Sequence, residues 1–234
     1  MKITASHRSF FLALFCFLSS FSEGQLPPPL ALDAGSFSVA KVGECATVSV
    51  DLFLDIGCSD CAESWHTLSK VMESYGADGK VSFQLHLLPL PYHRWAFLAA
   101  KAAQAVKRLG NPSGASDDIA VLRFLALAFA EQRRILNDVT EDLLVRDVQA
   151  ILAGWAMRAA DVAPDAFDAA MDVHTDTGSR IEDAARRAFK YAGLRGVYGT
   201  PWAIINGVPV PGLGDGSRED WDSVLAPLLA AADS

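Results

Sequence analysis

Cysteine is scarce in this chain. It occurs at four positions only, Cys16, Cys45, Cys58 and Cys61, too few for a fold held together by disulfides. Long hydrophobic runs are missing too. The apolar stretch near the N terminus, Phe10 to Leu18, is well short of the roughly 20 residues that a membrane span needs. There is no basic run, and the net charge is −8. That disfavours nucleic acid or an anionic membrane surface as the main partner, because both reward Lys and Arg. No glycosylation acceptor is read, since Asn111-Pro112-Ser113 is closed by its proline. The final Ala-Ala-Asp-Ser is no endoplasmic-reticulum retrieval signal.

Apolar residues are plentiful. Half of the 234 residues are hydrophobic and about a fifth are charged, a balance that builds a buried core and excludes disorder. The N terminus reads differently. Lys2, His7 and Arg8 precede the apolar stretch, and Ser-Ser-Phe-Ser-Glu-Gly follows it. This is the pattern of a secretory signal over residues 1–24, cut near Gly24–Gln25, with no membrane anchor left in the mature chain. A proline-rich leader is expected over 25–35, then a domain over 36–234. Cleavage removes Cys16. Cys45 is then odd, read either as a buried apolar filler or as a free thiol.

Periodicity orders the rest. "VSVDLFLD" (48–55) reads as a buried strand and "VSFQLHLLPL" (81–90) as a second. Between them Trp65, Leu68 and Met72 share one face of a helix that starts near Cys58. Strand, helix, strand is the unit of a parallel sheet. From His93 to about Ala192 the pattern turns helical. A Ser cap and first-turn acids open "SDDIAVLRFLALAF", Thr140 is expected to cap "TEDLLVRDVQAILAGW", and Gly193 to close the last helix of the block. The Trp and Phe residues there read as core. Trp202 to Ile205, an Asn206-Gly207 turn and Val208 to Val210 read as a hairpin. A last helix, about 218–231, contains Pro227.

Chemistry concentrates at Cys58-Ser59-Asp60-Cys61. Three readings apply: a redox pair, half a metal site, or a static disulfide. A metal site needs about four ligands, and His66, His86 and His93 stand at no recognised ligand spacing; His66 reads as a surface or half-buried residue, and packing is the default reading of His86 and His93. A cysteine at a helix N terminus faces unpaired N–H groups and about half a positive charge, which favours thiolate. Cys58 is therefore expected as an exposed attacking sulfur, with Cys61 one turn on as resolver. Asp55, Asp60 and Glu63 bring negative charge that opposes the thiolate. Asp51, within the first strand, is a candidate proton acceptor for Cys61.

Strand, Cys-x-x-Cys, strand, helical block, Gly-Thr-Pro, hairpin and helix together resemble the DsbA-like branch of the thioredoxin superfamily. "LFLDIGCSDCAESW", "HLLPLPYHRWAF" and "GVYGTPWAIINGVPV" are most similar to plant and algal secreted thioredoxin-like proteins. The resemblance implies an α/β thioredoxin-like fold with a helical insertion at about 93–192. It also implies a cis Thr200–Pro201 bond beside the sulfurs, holding substrate backbone and keeping metals away, with no cofactor. The implied activity is thiol–disulfide exchange on protein cysteines in the secretory pathway, with an unnamed redox partner. Stronger oxidants of this fold carry an aromatic residue and a His where Gly57 and Asp60 stand, so a milder oxidant is expected. Two alternatives remain: a non-catalytic module that binds protein or peptide, and a kappa-type glutathione transferase, which usually lacks the second cysteine.

Overall fold

The computed structural model describes residues 35–39, 46–110 and 118–232. The expected signal, nearly all of the leader, Cys45 and the Ser116 cap lie outside the described residues.

Five strands form one mixed sheet in the order β1-β3-β2-β4-β5. β2 (Val48–Leu54) and β3 (Val81–Leu87) run parallel, with α1 (Ser59–Gly76) as their crossover. β4 (Trp202–Ile205) lies antiparallel on the other edge of β2 and pairs with β5 (Val208–Pro209). Asn206 and Gly207, both at positive φ, make the tight turn between them, as Asn-Gly predicts. β1 (Phe37–Val39) is antiparallel to β3 and has no counterpart in the sequence reading. Three residues after a proline-rich stretch carry too little alternation to register. Its Ser38 N–H is held by the Asp118 carboxylate at 2.8 Å.

The two-residue period of the strands sorts side chains onto two faces. Val48, Val50, Leu52 and Leu54 of β2 join Val81, Phe83, Leu85 and Leu87 of β3 in the main core. Leu68, Val71 and Met72 of α1 and Trp221 and Leu225 of α7 (Arg218–Ala232) belong to it, and the same cluster continues into the helical segment through Phe124, Leu152, Trp155 and Phe167. Each fully buried Leu or Val there contributes about 1.5–3 kcal/mol relative to exposure. Phe53 and Ile204 point to the other face, into a smaller cluster with Leu88, Leu90 and Ala192.

Between β3 and β4 the chain is helical, as expected. It comprises α2 (Ala96–Gly110), α3 (Ile119–Ala130), two 3-10 turns (Gln132–Ile135 and Asn137–Val139), α4 (Val145–Ala160), α5 (Pro164–Met171) and α6 (Asp176–Leu194). Thr140 does not cap α4; Leu144 occupies that position. Thr140 is instead fully buried, its hydroxyl accepting the Trp95 indole N–H at 2.8 Å and donating to the Leu136 carbonyl. A buried indole needs an acceptor, and that demand overrides the capping preference. Trp95, Phe124, Phe129, Trp155 and Phe167 are core, but Phe189 is about half exposed on α6. α7 continues through Pro227. Among the described residues no helix is long and apolar enough to cross a membrane.

Candidate active site

The site forms where β2 ends. Cys58 is the N-cap of α1, in extended conformation, and its N–H donates to the Asp55 carbonyl at 3.1 Å. Both cysteines are free thiols. They differ in almost every other respect. Cys58 keeps 5 % of its surface, and Cys61, one turn inward, keeps none. The exposed sulfur expected at position 58 is therefore a sulfur at the floor of the surface. Residues of the opposite loop cover it.

That loop is the one containing Thr200 and Pro201. Their peptide bond is cis, as the resemblance implies. The Cys58 thiol donates to the Thr200 carbonyl at 3.4 Å, so a segment 142 residues away in sequence closes over the pair. Gly214 lies on its outer side, where a β-carbon would sit 2.6 Å from the Pro201 backbone; only glycine allows that approach.

The two sulfurs ionise in opposite directions. The Cys61 thiol hydrogen-bonds to Cys58 and holds its pKa down to about 6, against the opposing effect of burial; the Thr200 hydroxyl and the N–H groups of Asp60 and Cys61 add to the lowering. No cap hydrogen bond of ordinary geometry forms at Cys58, yet those first-turn N–H groups face its sulfur and favour the anion. Burial pushes the Cys61 thiol well above its ordinary value, and the neighbouring Cys58 adds to that rise. The Thr200 hydroxyl is buried without a regular hydrogen-bond partner, and it favours the anionic form of both sulfurs. Dithiol sites span cysteine pKa values of about 7 in thioredoxin and about 3.5 in DsbA. Cys58 lies between them.

A model of the family described as Thioredoxin matches residues 42–225. The chain belongs to the thioredoxin family. No curated protein matches it in sequence. Among solved structures it is similar to BdbD from Bacillus subtilis, with a TM-score of 0.64 at 16 % identity over 84 % of this chain and 94 % of that one. It is similar to DsbA of Chlamydia trachomatis, with a TM-score of 0.63 at 15 % identity over 83 % and 91 %. A third is MdbA, a thiol-disulfide oxidoreductase from Actinomyces oris, with a TM-score of 0.59 at 18 % identity over 83 % and 86 %. At these identities the likeness is one of fold: thioredoxin-like, with the helical insertion of DsbA-like proteins.

Within this thioredoxin-family site the three acids separate. Asp60 and Glu63 are exposed, where water screens them. Asp55 is buried, and it is the hub. Its N–H donates to Cys61 Sγ at 3.4 Å, its Oδ1 accepts the Gly57 N–H at 2.8 Å, and its Oδ2 accepts the Leu90 N–H at 2.9 Å. Oδ2 also bonds His93 Nδ1 at 2.7 Å. Burial raises its pKa despite these bonds. Asp51, the expected proton acceptor, faces elsewhere: it pairs with His86 at 2.8 Å, and its register neighbours are Gln84 and Ile204.

Sequence reading treated His93 as packing; the structure places it against the buried Asp55 at 2.7 Å, and the helical block sends Gln132 to the cysteine loop. The His93 ring occupies the space beside Gly57, where a β-carbon would come within 2.8 Å of His93 Cβ. That leaves no room for the aromatic residue found before the first cysteine in stronger oxidants. Gln132, in the first 3-10 turn, donates to the Ile56 carbonyl at 2.8 Å and to the Cys58 carbonyl at 2.7 Å. A buried glutamine amide must find acceptors, and here both belong to the cysteine loop. Nothing in local spacing signals that reach of 74 residues. Among the described residues no group of three or more His, Cys, Asp or Glu could hold a metal ion.

Proposed function

We propose that the protein is a thiol–disulfide oxidoreductase acting on protein cysteines in the secretory pathway, as a mild oxidase, isomerase or reductase. The observation that carries this is the placing of two free cysteines one turn apart at the N terminus of α1, Cys58 against the Thr200 carbonyl at 3.4 Å and Cys61 fully buried behind it. The lowering of the Cys58 pKa to about 6 and the raising of that of Cys61 agree with it. Exchange needs one thiolate to attack and one thiol held back to resolve. In the reducing direction the Cys58 thiolate attacks a client disulfide, forming a mixed disulfide and releasing one client thiolate. Cys61 then loses its proton and attacks the Cys58 sulfur. A Cys58–Cys61 disulfide closes and the second client thiol leaves, so the client is reduced by two electrons and the protein oxidised by two. Run backwards, the same steps oxidise a client, and the redox partner that resets the pair fixes the direction.

Thr200 and Pro201 would form the platform that holds client backbone across the pair. The contact of Cys58 with the Thr200 carbonyl supports this assignment. Entry to the secretory route rests on the signal read over residues 1–24. The affinity with plant and algal secreted thioredoxin-like proteins rests on the three quoted stretches, since the solved structures described above are bacterial. A second reading is a non-catalytic module that binds protein or peptide, with spare thiols; the near-complete burial of Cys58 favours it. Reduction or refolding of a disulfide substrate by the mature protein, beside Cys58→Ala, separates the two. Exchange predicts turnover that this substitution abolishes. Turnover that survives it, or none at any redox poise, leaves the binding module.

A further inference from the structure

Five hydrogen bonds converge on Asp55, and each touches the cysteine loop or its support. Its backbone contacts both cysteines: the N–H donates to Cys61 Sγ and the carbonyl accepts the Cys58 N–H. Its carboxylate holds the Gly57 and Leu90 N–H groups and His93 Nδ1. The side chain of Asp55 is 1 % exposed and that of His93 is 22 % exposed, so the pair runs from beneath the cysteine loop, where Asp55 holds the Gly57 N–H, to the surface. His93 walls two adjoining grooves there. One, of about 290 Å³, is shared with Gly57, Ser59 and Asp138; the other, of about 490 Å³, with Arg94, Arg186 and Lys190.

The charge beneath the cysteine loop therefore depends on one proton. With a proton on His93 the pair is neutral as a whole. Without it, an ionised Asp55 presents an uncompensated buried charge that opposes a thiolate. Other groups face the ring less directly. Tyr92, on the same segment, meets it edge-on at 4.7 Å between centroids. Arg94 spends its guanidinium on the carbonyls of Thr140, Glu141 and Leu143. From α6, Arg186 is paired with Glu182, and Lys190 lines the far groove. From the second 3-10 turn, Asp138 pairs with Arg133. From α1 come the two cysteines and exposed Asp60. Asp55 is the acid bonded to the ring.

We propose that His93 is a positioning residue of the redox site: through Asp55 it compensates the buried carboxylate and thereby sets the thiolate fraction of Cys58 and the reduction potential of the pair. The inference rests on Cys58 and Cys61 being the exchanging pair. Its test needs no client, so it can fail separately from that reading.

The test is a pH titration of thiolate ultraviolet absorbance on the reduced full-length protein. It compares wild type, His93→Gln, Asp55→Asn and the double variant. Gln keeps a hydrogen-bond donor but no charge, so His93→Gln lowers the thiolate population at fixed pH by about tenfold, one pKa unit. The reduction potential becomes more negative by the equivalent of about 30 mV. Asp55→Asn leaves the thiolate population equal to wild type or higher. In the double variant no carboxylate remains to compensate, so the titration returns to within about twofold of wild type. A His93→Gln protein that titrates like wild type overturns the inference, as does a double variant shifted as far as His93→Gln, which is the mark of a mere wedge. Should His93→Gln fail to fold, Asp55→Asn decides alone, and a lower thiolate population in it contradicts the proposal. A protein that titrates as described but exchanges no disulfide keeps this inference and loses the oxidoreductase reading.

Discussion

Two Asp–His pairs start four residues apart, Asp51 within β2 and Asp55 just past its end, and they are built inside out relative to each other. Asp55 and His93 meet at 2.7 Å with the acid 1 % exposed and the histidine 22 % exposed. Asp51 and His86 meet at 2.8 Å with the acid 18 % exposed and the histidine 3 % exposed. His86 stacks against both Phe53 and Tyr191, at 4.7 Å from each ring, and its Nδ1 has no partner. It is aromatic filler with one of its two ring nitrogens met by Asp51. Asp55, by contrast, is locked by backbone N–H groups of the cysteine loop. The same two residue types thus serve packing in one place and the sulfurs in the other. What separates them is which partner is buried and what the buried partner touches.

The largest effect that sharpens this contrast is on stability. Asp55→Ala strips the acceptors from two buried N–H groups, at about 1–3 kcal/mol each. Denaturant unfolding should show a loss of about 3 kcal/mol or more, with the Cys58 titration displaced. Asp51→Ala leaves only the His86 ring unpaired, at about 1–2 kcal/mol, and should not move that titration. A shift with Asp51→Ala would erase the distinction.

Gln132→Ala comes next. It removes the donor shared by the Ile56 and Cys58 carbonyls, a loss of about 1–3 kcal/mol. Turnover of a disulfide substrate should fall with it, because the loop that holds the attacking sulfur loses its brace. Unchanged turnover would make the helical block a bystander.

Acid should weaken the reduced protein relative to reduced Cys58→Ser. The Cys58 pKa is depressed in the fold from 9.0 to about 6, so its stabilisation is fully present above the unfolded value. It is lost as pH falls through about 6. Thermal unfolding of the two reduced proteins across that window should converge at the acid end. Curves that stay parallel would mean Cys58 does not ionise early.

The smallest effect belongs to the packing pair. His86→Phe keeps the stack with Phe53 and Tyr191 and leaves Asp51 partly in water, so it should change stability by about 1 kcal/mol or less and leave the thiolate untouched. A change in redox behaviour from this variant would mean that both pairs speak to the sulfurs.

The contrast also marks where sequence reading ends. Short apolar runs at Val48–Leu54 and Val81–Leu87, with a helical face between them, are enough to order the parallel strands, and Asn206-Gly207 to find the hairpin. Cys58 and Cys61, three apart at a helix start, announce themselves by local spacing, and Thr200-Pro201 by resemblance. Asp51 looked the better proton acceptor because it sits inside an apolar strand, whereas Asp55 follows the strand and read as generic charge. Only the sheet register and the return of residues 88–93 over the strand end reveal which acid lies under the cysteine loop. Asp55–His93 and Gln132–Cys58 are contacts between segments 38 and 74 residues apart, and no periodicity encodes them. Thr140 has the right chemistry for a cap, but Trp95, 45 residues earlier, claims its hydroxyl. Phe189 reads with the core aromatics of the helical block, yet it is half exposed and borders a groove.

The reduction potential of the Cys58/Cys61 couple tests the whole account most directly, measured by equilibrating the purified mature protein against glutathione or dithiothreitol buffers. A thiolate-forming outer cysteine and a protonated inner one predict a two-electron couple between about −270 and −120 mV, the interval from thioredoxin to DsbA. A value below about −300 mV, the range of structural disulfides, or failure of the two sulfurs to form a disulfide, would contradict it.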